Sequence, residues 1–381
     1  MKEIQQIINA FEEANENDLR TALATVVHVD GSAYRRPGAR MLVREDGVLT
    51  GAISGGCLEG DALRKAMHAI KQQQNKLVVY DTSDEDNAEI GYQLGCEGTI
   101  SVLFEPIDPS DAENPLSLLK KAISKRQEAV LVTLFSTEDK RGEQPGTSLL
   151  FTEEENFYGN ILIPELKDQL HKNAQKVFAQ KKSSFKKINT AKSSFTAFFQ
   201  FLKPGISLVI VGAGNDAISV VQIANSLGWE VSVIDGRKTH AKQERFESAC
   251  QVLVLKPEKI LEKIVVDNYT AFVLMTHNYN YDLGILKALL QKDIPYIGVL
   301  GPKLKLEKML NQIADEGIKV PDQKLKRIYG PAGLEIGAET PEEIALSIIA
   351  EIKAVFANKP AGFLRDKKEV IHSRKDTLIQ S

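Results

Sequence analysis

The sequence predicts an α/β protein of two domains. Residues 1–204 are expected to form an α+β domain built from a degenerate duplication, and residues 205–357 a Rossmann-type domain with a doubly wound parallel sheet. Two observations predict this organisation. Matching residues recur at one constant spacing in the first part of the chain, and strands alternate with helices around a glycine-rich turn in the second. Residues 358–381 are expected to form a C-terminal tail.

The composition is that of an ordinary globular protein. The chain has 381 residues, of which 43% are apolar and 26% charged, with a formal net charge of −3. This charge gives no reason to expect nucleic-acid binding, and no apolar run approaches the ~20 residues that cross a bilayer. Three cysteines without CxxC spacing favour a reducing compartment over a disulfide scaffold or a structural zinc site. We therefore expect a cytoplasmic protein with no nucleic-acid or membrane partner.

The first copy of the duplication begins after an amphipathic helix and is rich in strands. Its expected elements, in chain order, are the helix over 2–14, strands over 21–29, 39–43 and 48–53, a helix over 61–71, and strands over 76–80 and 99–105. The apolar spacing of the first helix and the alternation of the hairpin support this order.

The duplication rests on three residue pairs with one separation along the chain. The pairs are Thr25 and Thr133, Pro37 and Pro145, and Gly51 and Gly159, so that 133 − 25 = 145 − 37 = 159 − 51. A constant, ungapped offset favours two copies, over 20–107 and 128–204, above chance similarity. The first copy has Ser54-Gly55-Gly56-Cys57 where the second has Leu162-Ile163-Pro164-Glu165, and its Gly95-Cys96-Glu97-Gly98 has no counterpart in the second. This difference favours a function for the two loops of the first copy.

The most informative segment is the loop Gly51–Gly60, which lies between a strand and a helix. Its residues Ser54, Gly55, Gly56 and Cys57 combine backbone freedom with a thiol. Glycine amides near the start of a helix are typical of an anion-binding loop, although the Gly-Lys-Ser/Thr ending of a P-loop is missing. The alternative, a tight turn with a small buried cysteine, remains equally open at this point.

Residues 205–357 alternate between strand and helix. Strands are expected over 207–211, 230–234, 251–255, 271–275 and 295–299. Gly212-x-Gly214-x-x-Ala217 follows the first strand and opens a helix. Asp235 lies near the position, ~20 residues after the first glycine, where a dinucleotide fingerprint carries its acid for the ribose. Because Arg237 follows Asp235, NAD and NADP are both open, as is a loop used for packing or for another phosphate.

Further candidates follow the fourth strand of this domain. His277, Asn278 and Asp282 lie after its carboxyl end, where open α/β sheets bind ligands. Capping of the next helix by His277 is the alternative. Cys250 precedes an apolar strand and is expected to be a buried small hydrophobe, whereas Cys57 and Cys96 are expected to be at least partly accessible.

Many ordered segments of the chain resemble the xanthine dehydrogenase accessory factor family, XdhC/CoxI. The matching segments are Gly31–Met41, Gly51–Gly60, Gly95–Gly98 through Pro106, Gly212–Asp235, Met275–Asn278, Tyr296–Gly301 and Gly330–Ala345. One departure is Cys96-Glu97-Gly98, where the family usually has Cys-Gly-Gly.

The resemblance implies a cytoplasmic factor that binds the molybdenum cofactor, presents it for sulfuration and helps insert it into a molybdenum hydroxylase. It implies a sulfur-donating enzyme as a second partner, and a maturation factor more than a catalyst; a homodimer is expected. The residues expected to bind cofactor are Arg35, Arg36, Arg40, Ser54, Gly55, Gly56, Cys57, Cys96, Gly212, Gly214, Asp235, His277 and Asn278. The cofactor's phosphate suits amide N–H groups and arginines, and molybdenum suits a soft thiolate from Cys57 or Cys96.

Two other functions are compatible with the sequence. An NAD(P)-dependent oxidoreductase would use the nucleotide site between Gly212 and Asp235, and a pure scaffold would bind no small molecule. The Rossmann half lacks an obvious acid–base pair for hydride transfer, and the distinctive thiols lie in the other half. These features favour the maturation factor.

Overall fold

The chain folds into two compact units. The computed structural model describes residues 1–31, 33–81, 98–140, 142–154, 156–160, 164–190, 193–368 and 379–380. One unit is Met1–Pro204, which the short strand Ile379–Gln380 joins, and the other is Gly205–Lys368. That strand belongs to the segment expected to be a C-terminal tail.

The first unit consists of two halves with the same elements. The first half contains α1 (Lys2–Glu16), β1 (Thr21–Gly31), β2 (Arg40–Arg44), β3 (Leu49–Gly51), α2 (Glu59–Gln72), β4 (Lys76–Asp81) and β5 (Gly98–Ile107). The second half contains α3 (Pro115–Ser124), β6 (Ala129–Phe135), β7 (Gly146–Thr152), β8 (Phe157–Gly159), α4 (Lys167–Gln180), β9 (Ser184–Asn189) and β10 (Ser194–Leu202).

The duplication is confirmed by the topology of the two sheets. The first sheet has the order β3-β2-β1-β5-β4, and the second has the equivalent order β8-β7-β6-β10-β9. Both bounds of β8, α4 and β9 follow those of β3, α2 and β4 at the same offset that separates Gly51 from Gly159. The two halves therefore repeat one fold, as the constant offset predicts.

Each sheet lies between its own helix and the other half. Along β1, Ala22, Ala24 and Val26 pack with the cluster that α2 covers, while Leu23 and Val27 belong to clusters shared with the second half. This alternation follows from the two-residue period of a strand. The core of the unit thus sits between the two sheets as well as under α2 and α4.

Buried polar side chains also link the halves. The Thr147 N–H and hydroxyl donate to the Glu105 carboxylate at 2.6 and 3.0 Å, and Arg40 donates to Gln200 Oε1 at 2.6 Å. Glu105 and Gln200 are equivalent, because they pair with Leu23 of β1 and Leu131 of β6, which are themselves equivalent in the duplication. One half thus places a carboxyl group where the other places an amide.

Burial is the largest influence on the pKa values of Glu105 and Arg40. Burial raises the pKa of Glu105 to about 7, although the hydrogen bonds from Thr147 and the charge of Arg40 oppose the rise. Burial likewise lowers the pKa of Arg40 to about 10. Both side chains are almost fully enclosed, at 1% and 2% exposure.

The second unit is a doubly wound parallel sheet, as predicted. It contains β11 (Ser207–Val211), α5 (Asp216–Ser226), β12 (Glu230–Asp235), β13 (Gln251–Val254), α6 (Ile260–Lys263), β14 (Thr270–Leu274), α7 (Tyr279–Leu289), β15 (Tyr296–Val299), α8 (Lys303–Asp315), α9 (Asp322–Leu325), β16 (Ile328–Tyr329) and α10 (Pro341–Phe356). The strand order β13-β12-β11-β14-β15-β16 is that of the Rossmann fold. One core cluster lies under α5 and α10, and another under α6, α7 and α8.

No helix in the described part of the chain is both long enough and apolar enough to cross a membrane.

The raised pKa of Glu105 predicts a pH-dependent stability. Folding raises this pKa from 4.5 to about 7, so its contribution is full below about pH 4.5 and is lost as the pH rises through 7. We expect Glu105→Gln to raise the free energy of unfolding at pH 8 by at most ~3 kcal/mol, and to change that free energy little at pH 5. Calorimetric unfolding at both pH values measures the difference. The exposed Glu154→Gln is the control, and an E105Q protein less stable than wild type at pH 8 would contradict the prediction.

Candidate functional site

The loop between β3 and α2 has one position that requires glycine. Gly56 has φ +114°, a conformation that side-chain-bearing residues rarely adopt. A Cβ at this position would meet no atom within 4 Å, so the requirement comes from the backbone alone. Both Gly55 and Gly56 are exposed, which leaves this part of the loop open to solvent.

Ser54 and Glu59 hold the loop together. The Ser54 hydroxyl and N–H donate to the Glu59 carboxylate at 2.5 and 2.9 Å, and the Leu58 N–H donates to it at 3.1 Å. Burial acts to raise the pKa of Glu59, but the hydrogen bonds from Ser54 outweigh it and hold that pKa below its ordinary value. The positive end of α2 therefore already faces a carboxylate of the chain.

The expected anion-binding amides are thus only partly available. Ser54 Oγ also accepts from the N–H groups of Gly56 and Leu58, at 3.2 and 3.1 Å. Among the described residues, the N–H groups of Gly55 and Cys57 have no acceptor. These two amides, and not the whole loop, remain open to a ligand.

Glu59 is not among the residues that the sequence predicts for the site, because the predicted helix begins at Asp61. The helix begins at Glu59. The preference for carboxylates in the first turn of a helix is the signal that points to this residue.

Cys57 lies at the end of a hydrogen-bonded chain of side chains. Its thiol is half-buried and lies 3.5 Å from Ser54 Oγ, whose hydroxyl donates to Glu59. The thiol and the Glu59 carboxylate are thus linked through one hydroxyl group. The partial accessibility expected of Cys57 is confirmed.

The predictions for the other two cysteines are not confirmed. Cys96 lies outside the described residues. The expectation that Cys250 is buried is wrong, because its side chain is exposed. It directly precedes β13, an edge strand with partly exposed residues, and its N–H donates to Val231 O at 2.8 Å.

The three arginines expected to bind phosphate lie in different environments. Arg35 forms an ion pair with Glu3 of α1, and Arg36 is exposed. Tyr34 brings their segment beside the glycine loop, since a Cβ on Gly55 would lie 3.4 Å from its ring. Arg40 is enclosed between the two halves of the unit, where its guanidinium is engaged by protein oxygens.

In the second unit, the glycine turn packs directly against the end of β14. A Cβ on Gly212 would overlap the carbonyl oxygen of Met275. Asp235 ends β12, and its carboxylate accepts from the Ala213 N–H at 2.8 Å. The acid thus lies beside the Gly212–Gly214 turn, at the carboxyl edge of the parallel sheet.

His277 and Asn278 follow β14 at the same edge. His277 has φ +56°, and its Nε2 lies 3.1 Å from Asp216 Oδ2 at the start of α5. The imidazole is 70% exposed. The helix cap is Asn278, which accepts from the Tyr281 N–H at 3.1 Å, so the capping role considered for His277 belongs to its neighbour.

Asp282 forms a buried network behind His277. It accepts from the Thr276 hydroxyl at 2.6 Å and from Lys305 Nζ at 2.7 Å. Lys305 Nζ also donates to Leu300 O at 3.0 Å. Asp282 is fully buried, so it fixes the ends of β14 and β15 and does not face solvent.

No three His, Cys, Asp or Glu side chains converge as a metal site within the residues that the structure describes. Molybdenum ligation by Cys57 or Cys96 stays a prediction.

The hydrogen bonds that Glu59 accepts predict that its substitution destabilises the protein more than the same change at the equivalent helix α4. We expect Glu59→Gln to cost about 1–2 kcal/mol at neutral pH, since it removes the charge that three donors share. Because the pKa of Glu59 is depressed, this contribution is lost as the pH falls through that value. Asp168→Asn, in the equivalent helix α4 and exposed, is the control and should cost less than ~1 kcal/mol. Equal losses in urea unfolding would contradict the special role of Glu59.

Comparison with known families matches both units. Residues 208–352 match the XdhC Rossmann domain, and residues 15–81 match the XdhC and CoxI family. A Bacillus subtilis protein, named as a probable subunit of xanthine dehydrogenase, is 30% identical over 88% of this chain and 93% of its own length.

Two further relatives agree with this match. The molybdenum cofactor insertion chaperone PaoD of Escherichia coli is 22% identical over 87% of this chain and 82% of its own length. A crystal structure of a xanthine dehydrogenase from Bacillus halodurans is 31% identical, with a TM-score of 0.75, and the match covers 94% of this chain and 98% of that one. This chain belongs to the XdhC and CoxI family.

Proposed function

We propose that this chain is a maturation factor that binds the molybdenum cofactor and delivers it to a molybdenum hydroxylase of the xanthine dehydrogenase type. The names of the Bacillus subtilis and Escherichia coli relatives support the type of client enzyme and the cofactor. A sulfur-donating enzyme as second partner, a cytoplasmic location and a homodimeric state are parts of the same proposal.

The half-exposed thiol of Cys57 beside two open amides carries this proposal. The N–H groups of Gly55 and Cys57 have no acceptor among the described residues, and the thiol lies on the same turn. A loop that offers both hydrogen-bond donors and a thiol fits a ligand that combines an anionic group with a soft metal.

The residues of this loop fit the chemistry of the cofactor. The bound cofactor would supply a phosphate and a molybdenum centre held by a dithiolene. We assign the phosphate to the open amides with Arg36 and Arg35, and the metal to Cys57. We leave Arg40 out of the proposed site, because its guanidinium is enclosed in the protein.

An NAD(P)-dependent oxidoreductase is the alternative that the glycine turn and the Rossmann strand order suggest, but the state of its key acid argues against it. Its key acid, Asp235, is 3% exposed and is bonded to Ala213 and Arg237.

Anaerobic binding of released molybdenum cofactor tests the proposed site. We expect Cys57→Ser to weaken binding at least tenfold, a loss of about 1.4 kcal/mol or more, because the metal loses a thiolate ligand. Equilibrium dialysis with molybdenum quantified by mass spectrometry measures the affinity. Cys250→Ser removes an exposed thiol from the other unit and should leave binding unchanged. Equal affinity of wild type and C57S for the cofactor, or no binding by the wild type, would contradict the proposal.

A further inference from the structure

The carboxylate of Asp235 has all of its hydrogen-bonding capacity filled by the chain. Oδ1 accepts from the Arg237 N–H at 2.9 Å and from Nε at 3.0 Å. Oδ2 accepts from the Ala213 N–H and from Arg237 Nη2, each at 2.8 Å. A carboxylate offers about four lone-pair sites, so none is left for another donor.

This matters because the acid at the end of the second strand normally accepts hydrogen bonds from the ribose hydroxyls of a dinucleotide. A ribose diol would have to displace the guanidinium of Arg237 from a bidentate, charge-assisted contact. A 2′-phosphate could attract Arg237, but that move would leave the buried charge of Asp235 facing the phosphate.

A carboxylate also lies against the second glycine of the fingerprint. The second glycine of the fingerprint lets the backbone approach the pyrophosphate, yet a Cβ on Gly214 would overlap Asp216 Oδ1. Asp216 opens α5 and is held there by His277. A carboxylate therefore lies where the helix would otherwise attract an anion.

Other contacts fix the turn in this state. Arg245 donates to the carbonyl oxygens of Ala213 and His240, both at 2.7 Å, and to Asn215 Oδ1 at 2.8 Å. The ring of Tyr281 lies against the residue after the acid, since a Cβ on Gly236 would be 2.9 Å from it.

We infer that the Rossmann unit is closed to NAD(P) by its own side chains, with Arg237 in the place of the ribose and Asp216 in the place of the pyrophosphate. Asp235 then acts as a clasp that joins the glycine turn to the segment after β12. This inference concerns the second unit alone and does not rest on the proposed binding of the molybdenum cofactor.

Calorimetric titration of the full chain with NAD⁺ and NADP⁺ tests the closure. We expect that the wild type binds neither dinucleotide with a Kd below about 1 mM, a value that would already be weak for a specific site. Arg237→Ala frees two acceptor sites on Asp235 and should tighten NAD⁺ binding at least tenfold, further when combined with Asp216→Asn. Lys238→Ala removes a positive charge from the same exposed segment without touching Asp235 and should have no effect.

Two results would overturn the inference. The first is micromolar binding of either dinucleotide by the wild type, which would show that the clasp opens readily. The second is a folded R237A protein, checked by its melting temperature, that binds NAD⁺ no better than wild type. Since Arg237 is half-exposed, its substitution should leave the fold intact, and Asp216→Asn alone supplies a second variant if it does not.

Discussion

A buried amide N–H at a strand-to-helix turn must find an acceptor, and in both units of this chain a carboxylate of the chain supplies one. Glu59 receives the amides of Ser54 and Leu58 at the start of α2. Asp235 receives the amide of Ala213, and Asp216 lies at the start of α5. Glycine-rich turns expose such donors, and an unsatisfied buried donor costs about 1–3 kcal/mol. The shape of each turn therefore depends on an acid that the glycine pattern does not reveal.

The same constraint has opposite consequences in the two units. In the first, Glu59 and Ser54 use some of the amides and leave those of Gly55 and Cys57 open beside a thiol. In the second, Asp235 and Asp216 fill the places that a dinucleotide needs. The ligand chemistry of the chain is thus expected in the first unit, while the second keeps the Rossmann topology.

The sequence predicts what the backbone dictates and misses what tertiary contacts decide. The constant offset between the two copies anticipated that the two halves share one fold, and the fingerprint from Gly212 to Asp235 placed the turn and the acid correctly. Such features follow from local spacing. The burial of Arg40 depends on the second half packing over it, and the exposure of Cys250 on β13 being an edge strand. Neither is visible in a local pattern, nor is the choice of Ser54 as the partner of Glu59.

The central claim is that the cofactor binds at the glycine loop of the first unit and not at the Rossmann turn. Amide hydrogen exchange, measured by mass spectrometry with and without molybdenum cofactor under anaerobic conditions, tests it directly. The account predicts that bound cofactor slows exchange in the segment that contains Gly55 and Cys57, and leaves the Gly212–Ala217 segment unchanged. Slower exchange confined to Gly212–Ala217, with none at Gly55 and Cys57, would contradict it.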